Sequence, residues 1–83
     1  MEISIVENRT PQGIEALLQL WEASVRATHD FLSESEIARI GAYVPGALQG
    51  VCHLVAARRE GGSLAAFLGV EGRRIEMLFV APE

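Results

Sequence analysis

Residues 63–80 read SLAAFLGVEGRRIEMLFV, two apolar runs of strand length on either side of the short turn sequence EGR. Runs rich in aliphatic and aromatic residues around a glycine-containing turn are typical of a β-hairpin. A third such run, CHLVAAR at residues 52–58, comes just before them and is followed by the turn sequence REGG. We therefore predict a three-stranded antiparallel meander over residues 52–80. Because the runs are apolar on both faces, helices are expected to cover at least one side of the sheet, and the pattern favours cover on both sides.

The segment upstream of the meander predicts one strand and one long helix. ISIV, at residues 3–6, is typical of a short first strand. Thr10 suits the N-cap position and Pro11 the first helical position, where the missing proline N–H costs nothing. The apolar residues that follow repeat at helical spacing and form one stripe, made of Ile14, Leu17, Leu18, Trp21 and Val25.

A second helical segment begins after Ser33, which has the spacing of a capping box with Glu36. Its apolar residues again follow helical spacing, at Ile37, Ile40, Val44, Leu48 and Val51. Pro45 lies inside this stripe and should kink or split the helix, because proline lacks a donor and crowds the preceding turn. The predicted fold class is therefore α/β (α+β), in the order β-α-α-β-β-β, with a mostly antiparallel sheet flanked by helices.

The chain has 83 residues, which predicts a single domain over residues 1–83 with a marginal core. Cys52 is the only cysteine, and with His29 and His53 it offers neither a disulfide nor metal-ligand spacing. Good packing or self-association must then supply the stability. A net charge of −4 disfavours nucleic acid, and no apolar run approaches the roughly 20 residues of a membrane span. With no signal-peptide pattern at its start, the chain is expected to be cytoplasmic.

Three stretches make the chain resemble the GNAT superfamily of acetyl-CoA-dependent N-acetyltransferases, in a branch of small bacterial members. IEMLFVAPE, at residues 75–83, looks like the family's fourth strand, which closes on Val-x-Pro-Glu. Residues 63–80 look like the preceding hairpin, and ATHDFLSESEI, at residues 27–37, is similar to the junction of the first two helices. The whole chain aligns with about the first half of that fold. The resemblance implies transfer of an acetyl group from acetyl-CoA to a primary amine of a small molecule or peptide.

The resemblance also implies cofactor and catalytic roles for the last strand. In the family this strand has a bulge whose backbone groups bond the pantetheine arm and the thioester carbonyl. By position, Leu78, Phe79 and Val80 would contact acetyl-CoA, and Glu76, on the same face as Leu78 and Val80, would be the general base. Two structural alternatives remain open. Residues 78–80 can be a core strand, and Glu76 can be a charge that protects an edge strand from aggregation.

His29, Asp30 and Phe31 are implied to border the acceptor site, because the family places the segment between its first two helices there. The alternative is an ordinary helix end, with His29 favourable to the helix dipole and Phe31 packed in the core. Cys52 is not expected to act as a nucleophile, because no base lies near it in the sequence and free cysteines are usually buried. No metal site is expected.

The glycine-rich loop that follows the fourth strand in the family has no counterpart in this sequence. In the family that loop opens a helix whose N-terminus holds the cofactor pyrophosphate, and this sequence contains no Gly-x-Gly. The family's fifth strand is also missing, and so is a late tyrosine general acid. We therefore expect a truncated GNAT-like domain: a fragment, a truncated gene product or one half of a two-chain enzyme. The alternative function is a non-catalytic module that forms a homodimer or binds a partner through the strand edge at residues 75–80.

Overall fold

The computed structural model describes residues 1–28 and 32–82 of the chain. Its elements are β1 (Glu2–Ile5), α1 (Pro11–Thr28), α2 (Glu34–Gly41), α3 (Val44–Gly50), β2 (His53–Arg58), β3 (Leu64–Glu71) and β4 (Arg74–Val80). The strands form one sheet in the order β1-β2-β3-β4, and every neighbouring pair is antiparallel. The predicted α+β class and the three-stranded meander are confirmed. Among the described residues, none of the helices is both long enough and apolar enough to cross a membrane.

Pro45 splits the second helical segment into α2 and α3, as its position predicted. It lies in the first turn of α3, where the missing N–H breaks no intrahelical bond. The capping box is formed, because Ser33 Oγ accepts the Glu36 N–H at 3.2 Å and the Glu36 carboxylate accepts the Ser33 N–H at 2.9 Å. Thr10 caps α1 by accepting the Gly13 N–H at 3.0 Å. The local signals therefore set the helix boundaries.

The helices pack on one face of the sheet and enclose the core. Helix α1 lies against β3 and β4 and contacts both α2 and α3. The most deeply buried large side chains are Leu48, Leu54 and Phe67, which come from α3, β2 and β3. Gly69 lies under this layer, where an added Cβ would be only 3.0 Å from Met77 Cε and 3.4 Å from Val51 Cγ2. Gly69 thus allows the end of α3 to approach the sheet closely.

The opposite face of the sheet is apolar, and no helix of the described residues covers it. The strand registers place on it Ile3, Ile5, His53, Val55, Ala57, Ala66, Leu68, Val70, Ile75, Leu78 and Val80, and we call this set the open face. Ile3 is 70% exposed, and Leu78 is 59% exposed. The expectation of helices on at least one side is met, but the described residues provide them on one side only.

Candidate functional site

The pairing of β3 with β4 is interrupted at Glu76. Gly69 pairs with Met77 and Val70 pairs with Ile75, so that Glu76 has no partner on β3. An extra residue of this kind is a β-bulge, which leaves backbone groups outside the ladder and bends the strand. The bulge therefore places unladdered backbone groups next to the Glu76 carboxylate. Sequence alternation does not reveal this bulge, because the residues of β4 beyond Glu76 are all apolar and a change of face among them leaves the pattern unaltered.

The Glu76 side chain lies beside the end of α3. It lines a shallow hollow of about 340 Å³ together with Glu71, Met77 and three residues at the end of α3, which are Ala47, Gly50 and Val51. Glu76 Oε2 lies 3.8 Å from Arg74 Nε, and both side chains are exposed, so this ion pair contributes little stability. The prediction that Glu76 shares a face with Leu78 and Val80 is wrong, because the bulge turns residue 76 toward the helical side. The carboxylate is nevertheless accessible to a solvent-borne substrate.

The three residues predicted to contact acetyl-CoA lie in the regular part of β4. Phe79 packs into the core, with its ring centroid 5.5 Å from that of Phe67. Leu78 and Val80 lie on the open face and are both more than half exposed. Among the described strands, β4 is the last in the sheet order. The Ala81 N–H donates to the Ala65 carbonyl of the β3 segment, so by antiparallel alternation the backbone groups of Phe79 also face β3, and those of Leu78 and Val80 face outward without a strand partner. The bulge itself lies two residues before this segment.

The predicted acceptor-site residues His29, Asp30 and Phe31 lie outside the described residues. On the α1 side of this segment, the guanidinium of Arg26 contacts the carboxylates of both Glu22 and Glu34. This contact raises the pKa of Arg26 and lowers that of Glu34, because each charged group stabilises the other. The ends of α1 and α2 are therefore joined by an exposed ion-pair network.

Cys52 forms a two-point contact with Glu71 at the end of the sheet. The Cys52 thiol donates to Glu71 Oε2 at 2.8 Å, and the Cys52 N–H donates to Oε1 at 3.0 Å. The hydrogen bond to the carboxylate raises the pKa of the Cys52 thiol and lowers the pKa of Glu71. A thiol held in the protonated state is a poor nucleophile. The expectation that Cys52 is buried and has no base near it is wrong, because Cys52 is exposed and the Glu71 carboxylate contacts its thiol; the absence of a nucleophilic role stays a prediction.

Arg9, in the loop between β1 and α1, joins that loop to the end of α3. Its guanidinium donates to four main-chain carbonyls at distances between 2.6 and 3.2 Å, those of Leu48, Gln49, Val51 and Cys52. Gln49 Nε2 donates in return to the Arg9 carbonyl at 3.0 Å. The last carbonyls of a helix have no intrahelical partner, so Arg9 acts as the side-chain cap of α3. It also supports the wall of the hollow beside Glu76.

We expect Cys52 to alkylate slowly at pH 8, and Glu71→Gln to accelerate the reaction several-fold. Because the carboxylate raises the thiol pKa, its replacement by a neutral amide increases the thiolate fraction at a given pH. The measurement is the pH profile of the iodoacetamide reaction, whose midpoint should move to lower pH in the variant. Glu60→Gln, in the exposed β2–β3 turn, is the matched control and should leave the profile unchanged. An identical midpoint for Glu71→Gln and the wild type would contradict the Cys52–Glu71 contact.

Sequence reasoning missed Glu71 and Arg9. Glu71 is the first residue of the turn sequence EGR, and charged residues are common at such turns, so nothing marked it as a partner of Cys52. Arg9 is separated from its four carbonyl partners by about 40 residues of chain. A contact with main-chain carbonyls places no constraint on the side chains of the partner residues. The contacts of these two residues therefore could not be predicted from a single sequence.

No protein-family model matches this chain. Among solved structures, it is similar to the solution structure of apo-form YjaB from Escherichia coli, with 31% sequence identity and a TM-score of 0.77. The similarity covers 99% of this chain and 54% of that chain. This chain therefore spans about half the length of the YjaB structure, and shares its fold over that half.

Proposed function

We propose that this chain belongs to an acetyl-CoA-dependent N-acetyltransferase of the GNAT type that acts on a primary amine. The observation that carries the proposal is the bulge at Glu76. It occurs in β4, the strand whose sequence IEMLFVAPE resembles the family's fourth strand, where the resemblance requires a bulge. The order of elements supports the same assignment. The acceptor amine is not specified by these features, because one fold serves many substrates.

The chemistry of acetyl transfer to an amine suits the groups at the bulge. The substrate ammonium must lose a proton before it can attack, and Glu76 is an accessible carboxylate that can accept it directly or through a water molecule. As the amine attacks, negative charge develops on the thioester oxygen, and an unladdered backbone N–H in β4 can stabilise that charge. Glu76 would therefore act as the general base, and the backbone of β4 as the electrostatic support.

In this proposal the chain would hold the acetyl and pantetheine end of acetyl-CoA, which supplies the acetyl group and a thiolate leaving group. The outer edge of β4 and its bulge offer backbone donors and acceptors to the amide-containing pantetheine arm, next to the apolar side chains of Leu78 and Val80. The pyrophosphate has no Gly-x-Gly loop to bind in this sequence. Catalysis would therefore need a further polypeptide segment, from the same protein or from a second chain, to hold the nucleotide end.

A titration of the ¹⁵N-labelled chain with acetyl-CoA tests the proposal. We expect amide shifts to change at residues 75–80, with weak affinity because the pyrophosphate contacts are missing. Adenosine 3′,5′-bisphosphate is the matched control ligand, since it carries the nucleotide end without the pantetheine arm, and should leave these amides unchanged. Glu76→Gln should bind as the wild type does, because a general base is not needed for binding. Unchanged shifts at residues 75–80 in a folded sample would contradict the proposal.

A second candidate function is a non-catalytic interaction module. The observation that favours it is the exposure of β4, where Ile75, Leu78 and Val80 are each more than half exposed, on an edge that no other strand of the described residues covers. Uncovered strand edges pair readily with other chains. In this function the outer edge of β4 would bind a partner strand, and its amides would gain hydrogen-exchange protection as the partner concentration rises. Protection that does not change with concentration would argue against it.

A further inference from the structure

We propose that two copies of this chain associate face to face through the open face of the sheet, as an isologous dimer with the architecture of a β-sandwich. The proposal concerns the face of the sheet and not the outer edge of β4. It does not depend on acetyltransferase activity. It rests on three features of the described residues: the total exposed area, the chemistry of the open face and its relief.

The exposed area of the chain is larger than its mass predicts. The chain exposes 5553 Å², whereas a folded monomeric protein of 9.0 kDa is expected to expose about 4,900 Å². The excess is roughly 700 Å², which is close to the approximately 800 Å² that each partner buries in a standard protein–protein interface. The molecule thus carries about as much additional surface as one interface would bury.

The open face has the composition of an interface centre. Among the described strands, no Asp, Glu, Lys or Arg occupies a register position on it, and His53 at the start of β2 is its one ionisable side chain. An isologous contact places each group opposite a symmetry-related copy of the same surface, so that like charges on the face would repel. The absence of formal charge at these positions removes that penalty, although each copy carries a net charge of −4.

The open face has a shape suited to reciprocal packing, because it contains both projecting apolar side chains and an apolar hollow. Ala57 and Ala66 are cross-strand partners, and their small side chains form the floor of an apolar hollow of about 180 Å³. Ile5 and Val80 project from the same face and are both more than half exposed. A two-fold axis lying in the plane of the contact would allow projections of one copy to enter the hollow of the other, and the reverse, which is the reciprocity that an isologous interface requires.

Association through the β4 edge alone would not remove the apolar open face from water. Pairing two copies of β4 would extend the sheet to both subunits but would leave both open faces in water. Face-to-face packing at about 10 Å covers side chains from all four strands of each copy, as in natural β-sandwiches. Because the hydrophobic gain scales with the apolar area removed from water, the face is the stronger driving surface.

The test measures mass by light scattering coupled to gel filtration at micromolar loading. We expect twice the chain mass of 9.0 kDa for the wild type. Ile3→Glu and Leu78→Glu should each weaken the dimer about 30-fold or more, the effect of losing an interface anchor. These residues lie on β1 and β4, at opposite edges of the sheet, and both are more than half exposed in one chain, so that neither change should prevent folding. Ile40→Glu, at a 40% exposed position on α2, is the matched control and should remain dimeric.

Two results would overturn the proposal. The first is a wild-type chain that is folded by circular dichroism and monomeric throughout the micromolar range, which would leave the open face to a different polypeptide. The second is a dimer that Leu78→Glu disrupts and Ile3→Glu does not, which would identify the edge of β4 as the contact. Only the open face contains both residues, so equal sensitivity to the two changes supports the face-to-face dimer.

Discussion

Phe67→Ala should lower the free energy of unfolding by about 3–5 kcal/mol, the usual cost of deleting a buried aromatic ring. Phe67 is 1% exposed in the middle of β3, and its ring packs at an interplanar angle of 35° against that of Phe79. A domain of this length has a total stability of roughly 4–12 kcal/mol. The variant is therefore expected to lose at least a quarter of the wild-type stability, which is measured as a lower midpoint in urea titrations followed by circular dichroism.

Tyr43→Ala provides the control for loss of an aromatic side chain. Tyr43 is 75% exposed at the junction of α2 and α3, so its replacement should change stability by no more than about 0.5 kcal/mol. Phe67→Leu should fall between the two variants because it keeps much of the buried volume. A Phe67→Ala protein within 1 kcal/mol of the wild type would show that the ring is not enclosed between the sheet and the helices.

Most of the fold could be predicted because its determinants are local. The turn glycines, the Ser33–Glu36 capping box and Pro45 each act within a few residues of chain, so the boundaries of the helices and of the meander could be inferred from spacing. Gly72, for example, occupies the β3–β4 turn with a φ of 61°, a conformation that glycine adopts without strain. The uncovered side of the sheet could not be inferred in the same way. Apolar residues on both faces of a strand indicate that both faces favour burial, and they do not indicate which molecule covers each face.

The candidate site could be predicted only in part, because its decisive feature is a register shift. The sequence marks Glu76 as a charge in an apolar strand, and this makes the residue conspicuous. The sequence does not indicate that Val70 pairs with Ile75 while Gly69 pairs with Met77. That shift moves the Glu76 side chain from the open face to the hollow beside α3. The sequence therefore identified Glu76 as a candidate by its residue type, but it could not predict the face of the sheet on which the side chain lies.

Arg9→Met should lower the free energy of unfolding by about 2–4 kcal/mol, a large effect for a residue outside the core. The Arg9 guanidinium supplies donors to four main-chain carbonyls around the end of α3. Methionine keeps an unbranched apolar stem but leaves the partly buried carbonyls of Leu48 and Val51 without this donor. Unsatisfied groups of this kind each cost about 1–3 kcal/mol when water does not reach them.

Lysine at position 9 separates the effect of charge from the effect of geometry. Arg9→Lys keeps the positive charge, but Nη1 of Arg9 serves three of the carbonyls and Nη2 the fourth, and the ammonium of lysine ends one bond short of both nitrogens. We therefore expect it to recover less than half of the stability that Arg9→Met loses. Arg73→Met, in the exposed β3–β4 turn, is the matched control for removal of one arginine and should be nearly neutral. Full recovery by lysine in urea titrations would indicate that Arg9 acts through its charge on the dipole of α3, and the four directed hydrogen bonds would then not be the source of the stability.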